Sequence, residues 1–168
     1  RVISGDKNYN GVIDELVNGS WISQTDNKQY GIPIKNIEIR KTLDGRECDL
    51  IEGLHSNQKL LVVSDPFTHK AMGSRIFKNL KAKINVDEFI WEQPSSSIEG
   101  VQFLRTKLKD YDGMIAVGSG TVSDSIKYAT FLEDKVYSVF ATTPMNAYTT
   151  GTASISFDGI KKSLVAHY

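Results

Sequence analysis

The sequence predicts an α/β fold: a mostly parallel, doubly wound, Rossmann-like sheet preceded by an N-terminal helix and hairpin. Three observations predict it. Strand candidates at 60–63, 84–90, 114–117 and 136–140 alternate with helical patterns, and the first is a compact apolar run, as expected of a strand covered on both faces. One of these strands runs straight into Gly118-Ser119-Gly120 and a new helix. The chain also has 168 residues, 40% of them hydrophobic, enough for one α/β core. A single α/β domain is therefore expected over 1–168, with 1–35 as a helix and hairpin extension and 36–168 as the core.

The elements follow in order. Residues 10–19 place Val12, Ile13, Leu16 and Val17 on one helical face, with Gly19 as the stop. Residues 21–23 and 30–32 flank a polar turn and read as a hairpin. The alternating 36–40 (NIEIR) reads as a strand, and 47–54 as a helix. After the strand at 60–63, Pro66 opens a helix carrying Ala71, Met72, Ile76, Phe77 and Leu80. Following the strand at 84–90, Ser96 and Glu99 fit a capping box. Ile98, Val101, Leu104 and Leu108 then recur at helical spacing. The strand at 114–117 leads to a helix over 122–131 and a strand at 136–140. A loop rich in Thr and small residues spans 141–152. Residues 155–157 and 160–165 flank Asp158-Gly159, the pattern of a hairpin on a type I′ turn.

Composition excludes several function classes. Lys and Arg equal Asp and Glu at 20 each, so no basic surface for nucleic acid or an anionic membrane is expected. The single cysteine, Cys48, rules out an internal disulfide framework and a cysteine-based zinc site. No apolar run reaches the length of a membrane span, and no signal-peptide pattern opens the given residues. A cytoplasmic location is the expectation. The three histidines, His55, His69 and His167, share no ligand spacing and read as surface or terminal residues. No catalytic or metal-ligating residue is assigned.

In open α/β sheets ligands bind beyond the carboxyl ends of the strands, near the switch point. Asp65 and the Gly118 loop both fall at such ends. Glycines let backbone approach a ligand closely. A helix start offers unpaired N–H groups and partial positive charge, which suit a pyrophosphate. Ser119 and Thr121 add hydroxyls. Equally, the segment is a tight strand-to-helix turn, and both readings stand on spacing alone. The third glycine of the usual dinucleotide fingerprint is replaced by Ser123, and no acidic residue lies about 20 residues downstream. The acidic candidate lies upstream. Asp65 could accept both adenosine ribose hydroxyls and repel a 2′-phosphate, or it could simply cap the helix at Pro66.

Taken in order, several segments resemble one family. They are Val62-Val63-Ser64-Asp65-Pro66 with Thr68-His69-Lys70-Ala71-Met72-Gly73, then Val117-Gly118-Ser119-Gly120-Thr121-Val122-Ser123-Asp124 with Lys127-Tyr128-Ala129, then Phe140-Ala141-Thr142-Thr143-Pro144-Met145-Asn146-Ala147-Tyr148-Thr149, and Phe157-Asp158-Gly159 with Lys161-Lys162-Ser163. This order resembles sn-glycerol-1-phosphate dehydrogenase, of the iron-containing alcohol dehydrogenase and dehydroquinate synthase superfamily. The resemblance covers nearly the whole chain but about the first half of a typical member. It implies NAD or NADP as cofactor and dihydroxyacetone phosphate as substrate, an activity of phospholipid metabolism. It also implies that Gly118, Ser119, Gly120, Thr121 and Val122 carry the pyrophosphate. Asp124 and Lys127 fall on the loop–helix signature. Thr142 and Thr150 match cofactor-contacting positions, and Asn146 matches a substrate-contacting one.

Three departures accompany the resemblance. The Thr-x-x-Ser pattern before position 146 is one residue short. Position 146 is Asn where many members have Asp, so it brings hydrogen bonds but no charge. The family's divalent metal (Zn, Ni or Fe) is held by one Asp and two His of a helical domain that lies beyond these residues. Three functions follow: part of an active oxidoreductase, inactive as the isolated chain; a truncated nucleotide-binding protein without catalysis; or a remnant. Self-association as a homo-oligomer is a further expectation.

Overall fold

The computed structural model describes residues 9–144 and 146–167, the side chains of Tyr9, Asn10, Asn146 and Ala147 excepted. The chain divides between Leu43 and Asp44 into two units.

The smaller unit holds α1 (Tyr9–Val17) and a short antiparallel pair, β1 (Trp21–Ile22) and β2 (Gln29–Tyr30). Gly19 closes the helix at φ +69°, the left-handed conformation that glycine adopts without penalty. Across the turn, the Tyr30 hydroxyl donates to Asp26 at 2.6 Å. The 36–40 segment, expected as a strand, forms none. Alternation shows only what a strand could bury. A strand also needs a ladder partner, and none is present for it among the described residues.

The larger unit carries the parallel sheet. In chain order it contains α2 (Glu47–His55), β3 (Leu60–Ser64), α3 (Pro66–Thr68), a π-helical turn (His69–Gly73), α4 (Ser74–Lys81), β4 (Val86–Ile90), α5 (Ile98–Leu108), β5 (Gly113–Gly118), α6 (Gly120–Leu132) and β6 (Val136–Ala141). A short 3₁₀ helix (Asn146–Thr149) then leads to β7 (Thr152–Phe157) and β8 (Ile160–Val165). The strand order is β4-β3-β5-β6, all parallel. The chain thus steps outward from β3 to β4, then crosses back to β5 on the other side. This places the switch point between β3 and β5.

Both central strands are buried along their whole length, which is why they read as unbroken apolar runs. Leu61 and Val63 of β3 and Met114 and Ala116 of β5 share a core with Val101, Leu104 and Leu108 of α5 and Val122, Ile126 and Ala129 of α6. By alternation, Leu60, Val62, Ile115 and Val117 face the opposite side. Ile76 and Leu80 of α4 and Ile51 of α2 are buried as well. Glu47, fully buried at the start of α2, pairs with Arg75 and accepts from Asn79 at 3.2 Å. That pairing is how a charged residue can sit in the interior.

Two further expectations are corrected. Ser97, not Ser96, caps α5: its hydroxyl accepts from the Gly100 amide at 3.2 Å. Adjacent serines carry the same side chain, and the extended backbone at 97 (φ −105°, ψ 164°) decides between them. The helix after Asp65 is also not uniform, because it loosens into a π turn at His69–Gly73 before α4. The expected β7–β8 hairpin does form, with Asp158 at φ 49° and Gly159 at φ 81°, as a type I′ turn requires.

Candidate functional site

Val117 lies opposite Ser64 in the β3–β5 ladder, and Gly118 lies opposite Ala141 in the β5–β6 ladder. Asp65, the Gly118 turn and Thr142 therefore leave the sheet side by side at its carboxyl edge. Ligands of open parallel sheets bind at this edge.

Asp65 caps the helix with one carboxylate oxygen and leaves the other over. Its Oδ1 accepts from the Phe67 amide at 2.8 Å and the Thr68 amide at 2.9 Å, and the Asp65 amide donates to the Thr68 hydroxyl oxygen at 3.0 Å. Oδ1 is thus a helix cap in a full capping box. Asp65 is 8% exposed, and Oδ2 has no protein partner among the described residues. A carboxylate oxygen so placed can accept from a ligand hydroxyl.

The glycine turn has its own logic. A Cβ on Gly118 would lie 2.9 Å from Cβ of Val122, so glycine is needed for α6 to start this close to β5. Packing alone accounts for that glycine. The N-cap is different. Ser119 sits at the cap in extended conformation, yet its side chain makes no capping bond. Asp65 and Ser97, at the starts of α3 and α5, both do. The first amides of α6, from Gly120 to Val122, therefore begin without a side-chain acceptor.

Asp124 and Lys127 lie further along α6, and the structure gives them protein partners. The Lys127 ammonium is fully buried and donates to the carbonyls of Thr150 (3.0 Å) and Thr152 (3.2 Å). Asp124 accepts from the Ser154 amide at 3.1 Å. Burial pushes the Lys127 ammonium below its ordinary range, with Asp124 opposing the shift. Burial likewise pushes the Asp124 carboxyl up, against the pull of the Ser154 amide and Lys127. Together the two side chains hold the Thr150–Ser154 backbone onto α6. Thr150 is brought to Lys127 through its carbonyl.

Thr142 extends the β5–β6 ladder, its amide donating to the Gly118 carbonyl at 3.3 Å. The Tyr148 hydroxyl donates to the same carbonyl at 3.1 Å and lies 3.3 Å from the Thr143 hydroxyl. No role for Tyr148 was legible in the sequence, since nothing local marks a bond reaching 30 residues back. Asn146 begins the 3₁₀ helix, and its side chain lies outside the described residues.

One histidine expectation is overturned. His55 is not at the surface but 5% exposed. Its ring pairs with Gln58 at 3.1 Å and with Ser138 of β6 at 2.7 Å. Two neutral partners let a histidine be buried. His69 instead contacts Glu88 of β4 at 3.0 Å, and His167 meets the Phe131 ring edge-on at 5.5 Å. Among the described residues no group of three or more His, Cys, Asp or Glu could hold a metal ion.

The comparisons bear on the family and the fold. The iron-containing alcohol dehydrogenase family model matches residues 38–168. No curated protein sequence matches significantly. Among solved structures, the fold is similar to glycerol dehydrogenase from Schizosaccharomyces pombe, at 19% identity and a TM-score of 0.64 over 73% of this chain and 32% of that one. It is also similar to an iron-containing alcohol dehydrogenase from Thermococcus thioreducens, at 17% identity and TM-score 0.63, covering 77% and 41%. Maleylacetate reductase from Agrobacterium tumefaciens aligns at 14% identity and TM-score 0.61, covering 74% and 35%. The chain thus spans 32% to 41% of these three proteins.

Proposed function

The chain belongs to the iron-containing alcohol dehydrogenase family, and on that premise we propose that residues 1–168 are the dinucleotide-binding part of a glycerol-1-phosphate dehydrogenase-like oxidoreductase. The reaction would be reduction of dihydroxyacetone phosphate to glycerol 1-phosphate. One observation carries the binding role: an unpartnered carboxylate oxygen on Asp65 and an uncapped helix start at Ser119 flank the switch point of the sheet.

In this reading the adenosine ribose hydroxyls donate to Asp65 Oδ2. The pyrophosphate lies on the amides opening α6, where partial positive charge favours an anion. Ser119, Thr121 and Thr142 supply further donors around it. Asp124 and Lys127 act behind the site by holding the Thr150 segment. When bound, the nicotinamide supplies hydride, and this chain orients it. The substrate assignment rests on the Met145-Asn146-Ala147-Tyr148 segment and the Lys161-Lys162 pair of the sequence, with Asn146 as the substrate contact. The described residues do not fit a catalytic metal, since three protein ligands are needed and no such cluster is present among them. No step is routed through one.

The test is calorimetric titration of NADH into the wild type and into Gly120→Val. Val at the helix start obstructs approach of a phosphate, so binding should fall below detection in a variant that keeps its circular dichroism spectrum. Unchanged affinity in the folded variant would remove the pyrophosphate assignment.

A further inference from the structure

We propose that Tyr148 is a positioning residue for the dinucleotide site, acting through the Gly118–Ser119 peptide. This rests on the binding role proposed above. The argument is one of direction. The Gly118 carbonyl accepts from two donors, the Thr142 amide at 3.3 Å and the Tyr148 hydroxyl at 3.1 Å. Thr142 directly follows β6, so this carbonyl points to the β6 side of β5. The peptide that carries it also carries the Ser119 N–H. No described peptide is cis, and in a planar trans peptide the C=O and N–H point in opposite directions. The Ser119 N–H is therefore directed away from β6, toward β3. Asp65 follows β3 on that side, and the crevice there is the switch point.

The ladder alone would leave this peptide weakly held. Gly118–Ala141 is the last pair between β5 and β6, and the Thr142 bond beyond it is long. Glycine at 118 adds no side chain to restrain the plane. The Tyr148 hydroxyl is a second, independent restraint, brought in by the 3₁₀ helix. Lys127, through the carbonyls of Thr150 and Thr152, fixes the chain just after it. Residues without obvious phosphate chemistry thus aim a backbone donor that has it.

The experiment uses Tyr148→Phe, which keeps the ring and deletes only the hydroxyl, and Thr143→Val, which removes the hydroxyl's other neighbour and leaves the Gly118 bond. Each is titrated with ADP-ribose, which carries the pyrophosphate, and with adenosine, which carries the ribose but no phosphate. Tyr148→Phe should bind ADP-ribose about three- to tenfold more weakly, the range for one lost hydrogen bond, with adenosine affinity unchanged. Thr143→Val should match the wild type for both. A merely structural role would move both ligands together, so parallel losses overturn the proposal. Equal ADP-ribose affinity in Tyr148→Phe overturns it too. A wild type that binds neither ligand instead removes the dinucleotide reading on which the proposal stands.

Discussion

Asp65 caps a helix with one oxygen and is proposed to meet the ligand with the other, and substitution can separate the two. Oδ1 accepts two helix amides while Oδ2 has no protein partner among the described residues. Asn caps helices about as well as Asp, so Asp65→Asn should keep the unfolding free energy within about 0.5 kcal/mol. Only the charge facing the ligand is lost. With the carboxylate present, a 2′-phosphate is disfavoured by on the order of 1 kcal/mol. The wild type should therefore prefer NAD over NADP, and Asp65→Asn should narrow the gap by about fivefold. Titrating both cofactors into both proteins checks this. An identical preference in wild type and variant would leave Asp65 a cap alone. At this scale the sequence is a partial guide. Asp65 before Pro66 announces the cap, whereas the burial of His55 and Lys127 has no local signature. Each is a polar residue whose partners, Ser138 and the Thr150 and Thr152 carbonyls, are distant in sequence.

Helix α6 joins the site to the hairpin that follows. Its first turn presents open amides, and its second turn grips the backbone around β7 through Asp124 and Lys127. Because burial raises the Asp124 carboxyl above 3.8, the folded chain holds that proton more tightly than the unfolded chain. A raised carboxyl favours the folded state most below the unfolded value, and this contribution is lost as pH rises through the shifted value. The stability difference between wild type and Asp124→Asn should therefore move against the wild type as pH rises above 3.8 toward neutrality. Urea midpoints across that range measure it, and a pH-independent difference contradicts the assignment. Elements of this kind were largely legible. Periodicity located β3, β5, α5 and α6, because strands buried on both faces and amphipathic helices write themselves into composition. It failed at 36–40, where a strand pattern lacked a partner. It was also silent on the π turn at His69–Gly73, where Gly73 lies against β3: a Cβ there would come 3.2 Å from Ser64 Oγ. Such fitting is set by the neighbouring strand, not by local propensity.

For the molecule as a whole, the parallel sheet and its switch point were foreseeable from the alternation of strands and helices, and with them the edge at which a ligand is proposed to sit. What the ligand's partner chemistry would be was not. The three histidines are dispersed: His55 pairs with Ser138, His69 with Glu88, and His167 packs against Phe131. Residues 1–168 alone should therefore not oxidise NADH with dihydroxyacetone phosphate, even with added Zn²⁺, Ni²⁺ or Fe²⁺, since stabilisation of the developing alkoxide is usually a dominant catalytic contribution. Metal-dependent turnover surviving repurification would contradict this. The sealed ammonium of Lys127 also makes the chain its own clock. An acylating reagent reaches that nitrogen only when the Thr150–Thr152 segment lifts from α6. The rate at which mass spectrometry finds this one lysine modified, compared with exposed Lys78 and Lys109, thus reports the frequency of that local opening. A bound dinucleotide should slow it.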